Sequence, residues 1–177
     1  MFRAFMIGAV SAVALMLSTG SFAQQSQPGT AQDAQGMLTK TVAALKADKT
    51  NTIAMINKGE GGFLQGDIYP FCFQTTDGKV VATAPQLQKF VGTDIRTLKD
   101  PTGKAFGPEI FAAAKEGKIT EVGGYQFPKP GTDTPVPKVS FVTLAIWVAA
   151  SATTSRSLSR SAILLTTRYL AEPLRSS

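Results

Sequence analysis

The spacing of apolar side chains changes between Ile56 and Ile68, and no single type of secondary structure serves both halves of the pattern. Leu38, Thr41, Val42, Leu45, Thr52, Ile53 and Ile56 recur at three- and four-residue intervals, with Lys40, Lys46 and Asn57 falling largely elsewhere, as on an amphipathic helix. Thr30 and Asp33 have the spacing of an N-terminal capping box, and Lys58-Gly59 suits a last turn with a left-handed exit. The spacing predicts one helix of about 25 residues. From Ile68 the period is two. Tyr69, Phe71 and Phe73 share one face of a strand, while Ile68, Pro70 and Cys72 share the other. Asp77-Gly78 predicts a tight turn with positive φ at both central residues, so Ile68 to Thr75 and Lys79 to Thr83 should form a hairpin, closed by Pro85.

A loop is expected as far as Gly107, with Gly92, Asp94, Asp100, Pro101 and Gly103 in it. Pro108 at a first helical position then opens a short helix ending at Gly117. Lys118 to Phe127 and Lys138 to Val142 read as a second strand pair, joined by the Pro-rich stretch 128–137. A helix followed by separated hairpins describes an α+β domain with a mostly antiparallel sheet. The 177 residues are the size of one such domain.

The first 23 residues read as a secretory signal, with Arg3, an apolar run from Ala4 to Leu17, and small residues at Ser21 and Ala23. The run is too short for the ~20 residues that span a bilayer. Cleavage after Ala23 would deliver the mature chain to the periplasm or the medium, with a polar leader over 24–30. Composition narrows the chemistry further. The chain has no histidine and one cysteine, Cys72, so it lacks imidazole for a triad and thiolate pairs for zinc or redox work. Its net charge of +6 sits mostly at the ends. Residues 24–143 hold 13 Lys+Arg against 11 Asp+Glu, which does not make a nucleic-acid-binding face.

Several motifs together resemble a known family. They are Phe73 to Thr83 with Asp77-Gly78, Gly92-Thr-Asp94, Asp100-Pro-Thr-Gly-Lys104, Phe106, Gly123-Gly-Tyr125, Phe127-Pro-Lys-Pro-Gly131 and Pro137-Lys-Val-Ser-Phe-Val142. Over residues 31–143 the chain resembles the single cache domain, a PAS-like extracytoplasmic sensor module found in chemoreceptors and sensor kinases and as free secreted proteins. The resemblance implies a non-enzymatic domain that binds a small organic ligand, often an organic acid, and passes the bound state to a membrane-bound signalling partner. It also places Lys138 and Tyr125 on strands that wall the ligand pocket. Where many members carry His-Pro after the second strand, this chain has Ala84-Pro85.

The family's domain should finish with one more strand, rich in Gly and Tyr, yet residues 144–177 have a different character and are expected to form an aberrant tail. Displaced by one base, codons compatible with Leu144 to Ser155 can encode Gly-Asp-Leu-Gly-Cys-Gly-Val-Gly-Tyr-Tyr-Lys, followed by a serine and a stop. A frameshift would thus have removed the strand, together with a cysteine able to partner Cys72. As written, the sheet is expected to expose an unpaired edge.

A Lys ammonium and a Tyr hydroxyl in an aromatic cavity supply the charge and the directional donor that a small carboxylate needs. The candidate ligand-binding residues are therefore Lys138, Tyr125, Tyr69, Phe71 and Phe73. The alternatives are that the three strand aromatics are ordinary core, that Lys138 is a solvated strand end after Pro137, and that the domain is a structural or interaction module with a side-chain-filled pocket. Ser140 assisted by Lys138 is the one arrangement that could serve a hydrolase. Glu60, Asp67, Asp94 and Asp100 match no metal loop and read as solvated loop acids. Gly59-Glu-Gly-Gly62 lacks the Lys-Ser/Thr of a phosphate loop. No cofactor or metal is expected.

Overall fold

The computed structural model describes residues 29–148 and 158–169, so the predicted signal segment 1–23 and cleavage after Ala23 lie outside the described residues. Thr30 caps the first helix as its spacing requires. Its hydroxyl accepts from the Asp33 N–H, and the Asp33 carboxylate accepts from the Thr30 N–H. The expected single helix is two, α1 (Ala31–Ala47) and α2 (Lys49–Lys58), broken at Asp48, whose backbone is extended at φ −150°. The Asp48 carboxylate accepts from the Asn51 N–H at 3.1 Å and so starts a new helix. The apolar stripe continues in phase across the break, which is why periodicity alone reads straight through it.

Among the described residues five strands follow: β1 (Pro70–Phe73), β2 (Val80–Ala82), β3 (Thr120–Pro128), β4 (Pro135–Val148) and β5 (Leu158–Tyr169). They form one antiparallel sheet in the order β2-β1-β5-β4-β3. The β1–β2 connection is wider than the expected two-residue turn. The Gln74 N–H donates to the Lys79 carbonyl and the Gly78 N–H to the Gln74 carbonyl, so four residues bridge the strands. Between β2 and β3 the chain makes two 3₁₀ segments, Pro85–Phe90, kinked at Leu87, and Ile95–Thr97, and then α3 (Phe106–Ala113). Pro108 is thus the third residue of α3 and not its first, and the helix stops before Gly117. Gly107 allows α3 to lie against the second 3₁₀ turn, because a Cβ there would meet the Ile95 carbonyl oxygen.

The largest departure from expectation is β5. The slot between β1 and β4 is filled, with Cys72 opposite Ile163 and Ser140 opposite Thr167, so the sheet lacks the predicted unpaired edge there. Ladder hydrogen bonds are made by main chain, and a segment of Ile, Leu, Thr and Tyr has the β-propensity to supply them. Leu144 to Val148 likewise continue β4.

The sheet has helices on both faces. On one side Leu38 and Leu45 of α1 and Ile56 of α2 pack with Ile68, Cys72, Val139 and Phe141, each helix leucine contributing about 1.5–3 kcal/mol by burial. On the other, Phe106 and Ile110 of α3 pack with Phe73, Val80, Val122, Tyr125 and Val142. The predicted division of β1 holds: Ile68 and Cys72 face α1, and Phe71 and Phe73 face away.

Candidate functional site

Lys138 is not a solvated strand end. Strand alternation on β4 turns it and Ser140 to the face opposite Val139 and Phe141, and both are buried, at 4% and 0% exposure. On the neighbouring strand Tyr125 reaches the same face through a bulge. The β3–β4 register shifts between Val122 and Tyr125, and Gly124 at φ 71° absorbs the extra residue, a conformation that side-chain-bearing residues rarely adopt. Tyr125 then sits beside Lys138 in the ladder.

These residues line a cavity with Tyr69 just before β1, Phe71 and Phe127 from the sheet, Thr83 just after β2, Leu87 and Phe90 of the first 3₁₀ segment, and Leu98, Phe106 and Ile110 from below. Its volume of about 20 Å³ has room for one water and little more. The polar atoms inside pair with one another. The Lys138 amine donates to the Tyr69 hydroxyl at 2.6 Å, and the Tyr125 and Ser140 hydroxyls lie 2.5 Å apart. Lys138 Nζ also sits 4.1 Å from the Phe127 ring centre and 4.8 Å from that of Tyr69, where ring faces attract a cation. Tyr125 stacks on Phe106 at 4.4 Å, which fixes its ring.

Burial pushes the Lys138 amine well below the ordinary lysine range. It pushes the Tyr125 phenol up, only partly opposed by the Ser140 hydroxyl. Both groups therefore favour their neutral forms in the closed cavity.

Four of the five candidate residues come together here: Lys138, Tyr125, Tyr69 and Phe71. Phe73 does not. It is fully buried against Phe111, with ring centres 5.7 Å apart, as part of the core beneath. Sequence reading passed over Phe127, Phe106, Leu87 and Phe90. Phe127 was within reach, since it lies two residues from Tyr125 on one strand. The 3₁₀ residues carry no periodic signal. Ala84, in the position of the family's histidine, is buried beside Tyr69 and Leu87 and brings no polar group.

The wall made by the 3₁₀ turn is tied to α2. Asn57 accepts from the Thr83 N–H at 3.1 Å and from Gln88 Nε2 at 2.9 Å, and donates to the Val81 carbonyl at 3.2 Å. Asp100 fixes the opposite loop. Its carboxylate accepts from the Thr102 hydroxyl, the Thr102 and Lys104 N–H groups and the Gln126 N–H, and the Thr102 hydroxyl holds it below the usual carboxylate range. Asp100 and Asp67 are buried, not the solvated loop acids that sequence suggested. Among the described residues no acidic or sulfur cluster could hold a metal ion. No helix there is long and apolar enough to cross a membrane.

Residues 21–145 match the family model described as Single Cache domain 2. Among solved structures, the chain is similar to a methyl-accepting chemotaxis protein from Vibrio parahaemolyticus, with TM-score 0.53 and 16% identity over 78% of this chain and 86% of that one. A Cache chemosensory domain whose structure was described for carboxylic acid recognition is 26% identical, with TM-score 0.50, 79% of this chain and 88% of that one being covered. The periplasmic sensor domain of a chemotaxis protein is 19% identical, with TM-score 0.50 and coverage of 80% and 90%. No curated protein matches the chain. The motifs, the antiparallel sheet with its walled cavity and the match over more than half the sequence agree: the chain belongs to the Single Cache domain 2 family.

Proposed function

We propose that this domain senses a short organic acid, held in the cavity by Lys138 with Tyr69, Tyr125 and Ser140, and that it acts outside the cytoplasm without catalysing a reaction. The observation that carries the reading is one buried amine and the hydroxyls of Tyr69, Tyr125 and Ser140 converging in a cavity lined mostly by aromatic and aliphatic side chains. A carboxylate there would draw a proton onto Lys138 and form a charge-assisted pair in a low-dielectric setting. The similarity to a Cache domain described for carboxylic acid recognition supports the same ligand class. Ser140 is engaged with Tyr125, which argues against its use as a nucleophile. Export through the segment 1–23 and signalling through a membrane-bound partner complete the proposal.

The small cavity favours a second reading, in which side chains fill the site and nothing small binds. Admitting an acid of a few carbons requires Leu87 and Phe90 to move outward on their kinked 3₁₀ segment. Titration calorimetry separates the two readings. Propionate should give saturable binding at one site in the wild type and none in Lys138→Met, whereas no heat with acetate, propionate or longer acids would favour the filled pocket.

We also propose that the cache domain proper spans residues 31–143 and that the tail after it is read out of frame. The family match ends at residue 145, and the displaced frame can encode a Gly- and Tyr-rich strand for the slot that β5 occupies. Sequencing the gene across the codons for Thr143 to Ser157 decides. A displaced frame that spells anything else overturns the proposal.

A further inference from the structure

The amine of Lys138 is placed for chemistry as well as for charge. It is enclosed by the rings of Phe127 and Tyr69 and lies within hydrogen-bond distance of a phenol, the Tyr69 hydroxyl at 2.6 Å. A second hydroxyl pair, Tyr125 with Ser140, lies in the same cavity. We propose that Lys138 captures a short 2-oxo acid covalently, as an imine, with the ligand's carboxylate received by the Tyr125 and Ser140 hydroxyls. The inference rests on the carboxylate-binding reading of this cavity, narrows its ligand to an acid that also carries a carbonyl, and moves the carboxylate from Lys138, which must be neutral to attack, to the hydroxyl pair.

The step balances without an oxidant or reductant. The Nζ lone pair bonds to the carbonyl carbon, the C=O π pair moves to oxygen, and one N–H proton passes to that oxygen to give a carbinolamine. The C–O bond then breaks as Tyr69 donates its proton to the departing oxygen. Water leaves, the C=N bond forms, and nitrogen returns a proton to Tyr69. Amine and carbonyl become imine and water, and hydrolysis reverses the capture, as a sensor requires.

Three features of the site favour this course. Attack needs the neutral amine, and burial holds Lys138 well below the ordinary lysine range. A lysine desolvated in an apolar pocket is an activated nucleophile toward carbonyls. The Tyr69 hydroxyl, 2.6 Å from the amine, is also placed to give the departing oxygen its proton. The exposed lysines, Lys118 among them, have no such enclosure.

The test is to incubate the full chain with pyruvate, reduce with borohydride, and locate adducts by intact mass and peptide mapping, with propionate-dependent melting measured in parallel. One equivalent at Lys138, well above the labelling of Lys118, blocked by excess propionate and absent from Lys138→Arg, is expected. If Lys138 is labelled no more than Lys118 while propionate still raises the melting temperature, covalent capture is overturned and the carboxylate reading stands. If propionate also has no effect, both fall. Should Lys138→Arg fail to fold, the wild-type peptide map alone decides.

Discussion

The two faces of the sheet follow opposite rules, and β4 serves both. Toward α1 it presents Val139, Phe141 and Ala145, which join Ile68, Cys72 and the helix residues in a dry apolar layer. Toward the cavity it presents Lys138 and Ser140, equally buried but polar, with hydroxyl partners from Tyr69 and Tyr125. Apolar contact on the first face is stabilising at every residue. On the second, each buried polar group has a desolvation cost that its hydrogen bonds only offset. Comparable burial on one strand thus has two meanings: the α1 face holds the domain together, and the cavity face holds groups that stability alone would replace.

The difference can be broken at several points. Phe141→Ala, on the dry face, should lower unfolding free energy by about 3–5 kcal/mol in urea titrations; a loss under 1 kcal/mol would mean that the α1 layer is not the main support. Asn57→Ala removes the clamp between α2 and the cavity wall and should cost about 1–3 kcal/mol. It should also weaken propionate binding, since Leu87 and Phe90 lose their anchor through Thr83 and Gln88.

The pH dependence follows from Lys138. Its folded pKa is depressed, so above that value the unfolded state binds one more proton than the native state, and stability rises with pH until the unfolded lysine itself titrates near 10.4. The contribution is at most about 1.4 kcal/mol per pH unit. It should appear as a difference in slope between wild type and Lys138→Met, which cancels the opposing effect of Cys72, whose thiol burial pushes up to about 12. Equal slopes would show that the lysine is charged in the folded state. Thr30→Ala, at a helix end far from the contrast, should cost about 1 kcal/mol. The smallest effect is the most telling. Lys138→Met should leave stability at neutral pH close to wild type or raise it, since a buried charge-bearing group is often replaced by an apolar one without loss. A large destabilisation would move Lys138 to the structural side of the comparison.

Features legible in the sequence were those whose physics is local. The Thr30–Asp33 box, the glycine stop at Gly59 and the two-sided character of β1 need only a few adjacent residues. At Lys138 and Tyr125 the candidate site was legible through the family resemblance, which places both on pocket-walling strands, whereas the local pattern alone left Lys138 open to a solvated strand end. The site was not legible at Phe73, because two aromatics on one face read alike until α3 covers one of them. Nor was it legible at Leu87 and Phe90, which reach the cavity only through a 3₁₀ turn anchored 26 residues away by Asn57. The break at Asp48 was hidden by a stripe that stays in phase. β5 was hidden because composition reports what a segment resembles, whereas a vacant ladder between two strands accepts any main chain able to extend.

The central claim is that the polar face of β4 binds a short carboxylate, and thermal melting of the wild-type chain against rising propionate tests it most directly. Binding to the native state alone should raise stability continuously, by about 2.7 kcal/mol when propionate reaches a hundred times its Kd. The rise should disappear in Lys138→Met. A melting temperature that stays flat across acetate, propionate and longer acids, or one that rises equally in the variant, would contradict the account.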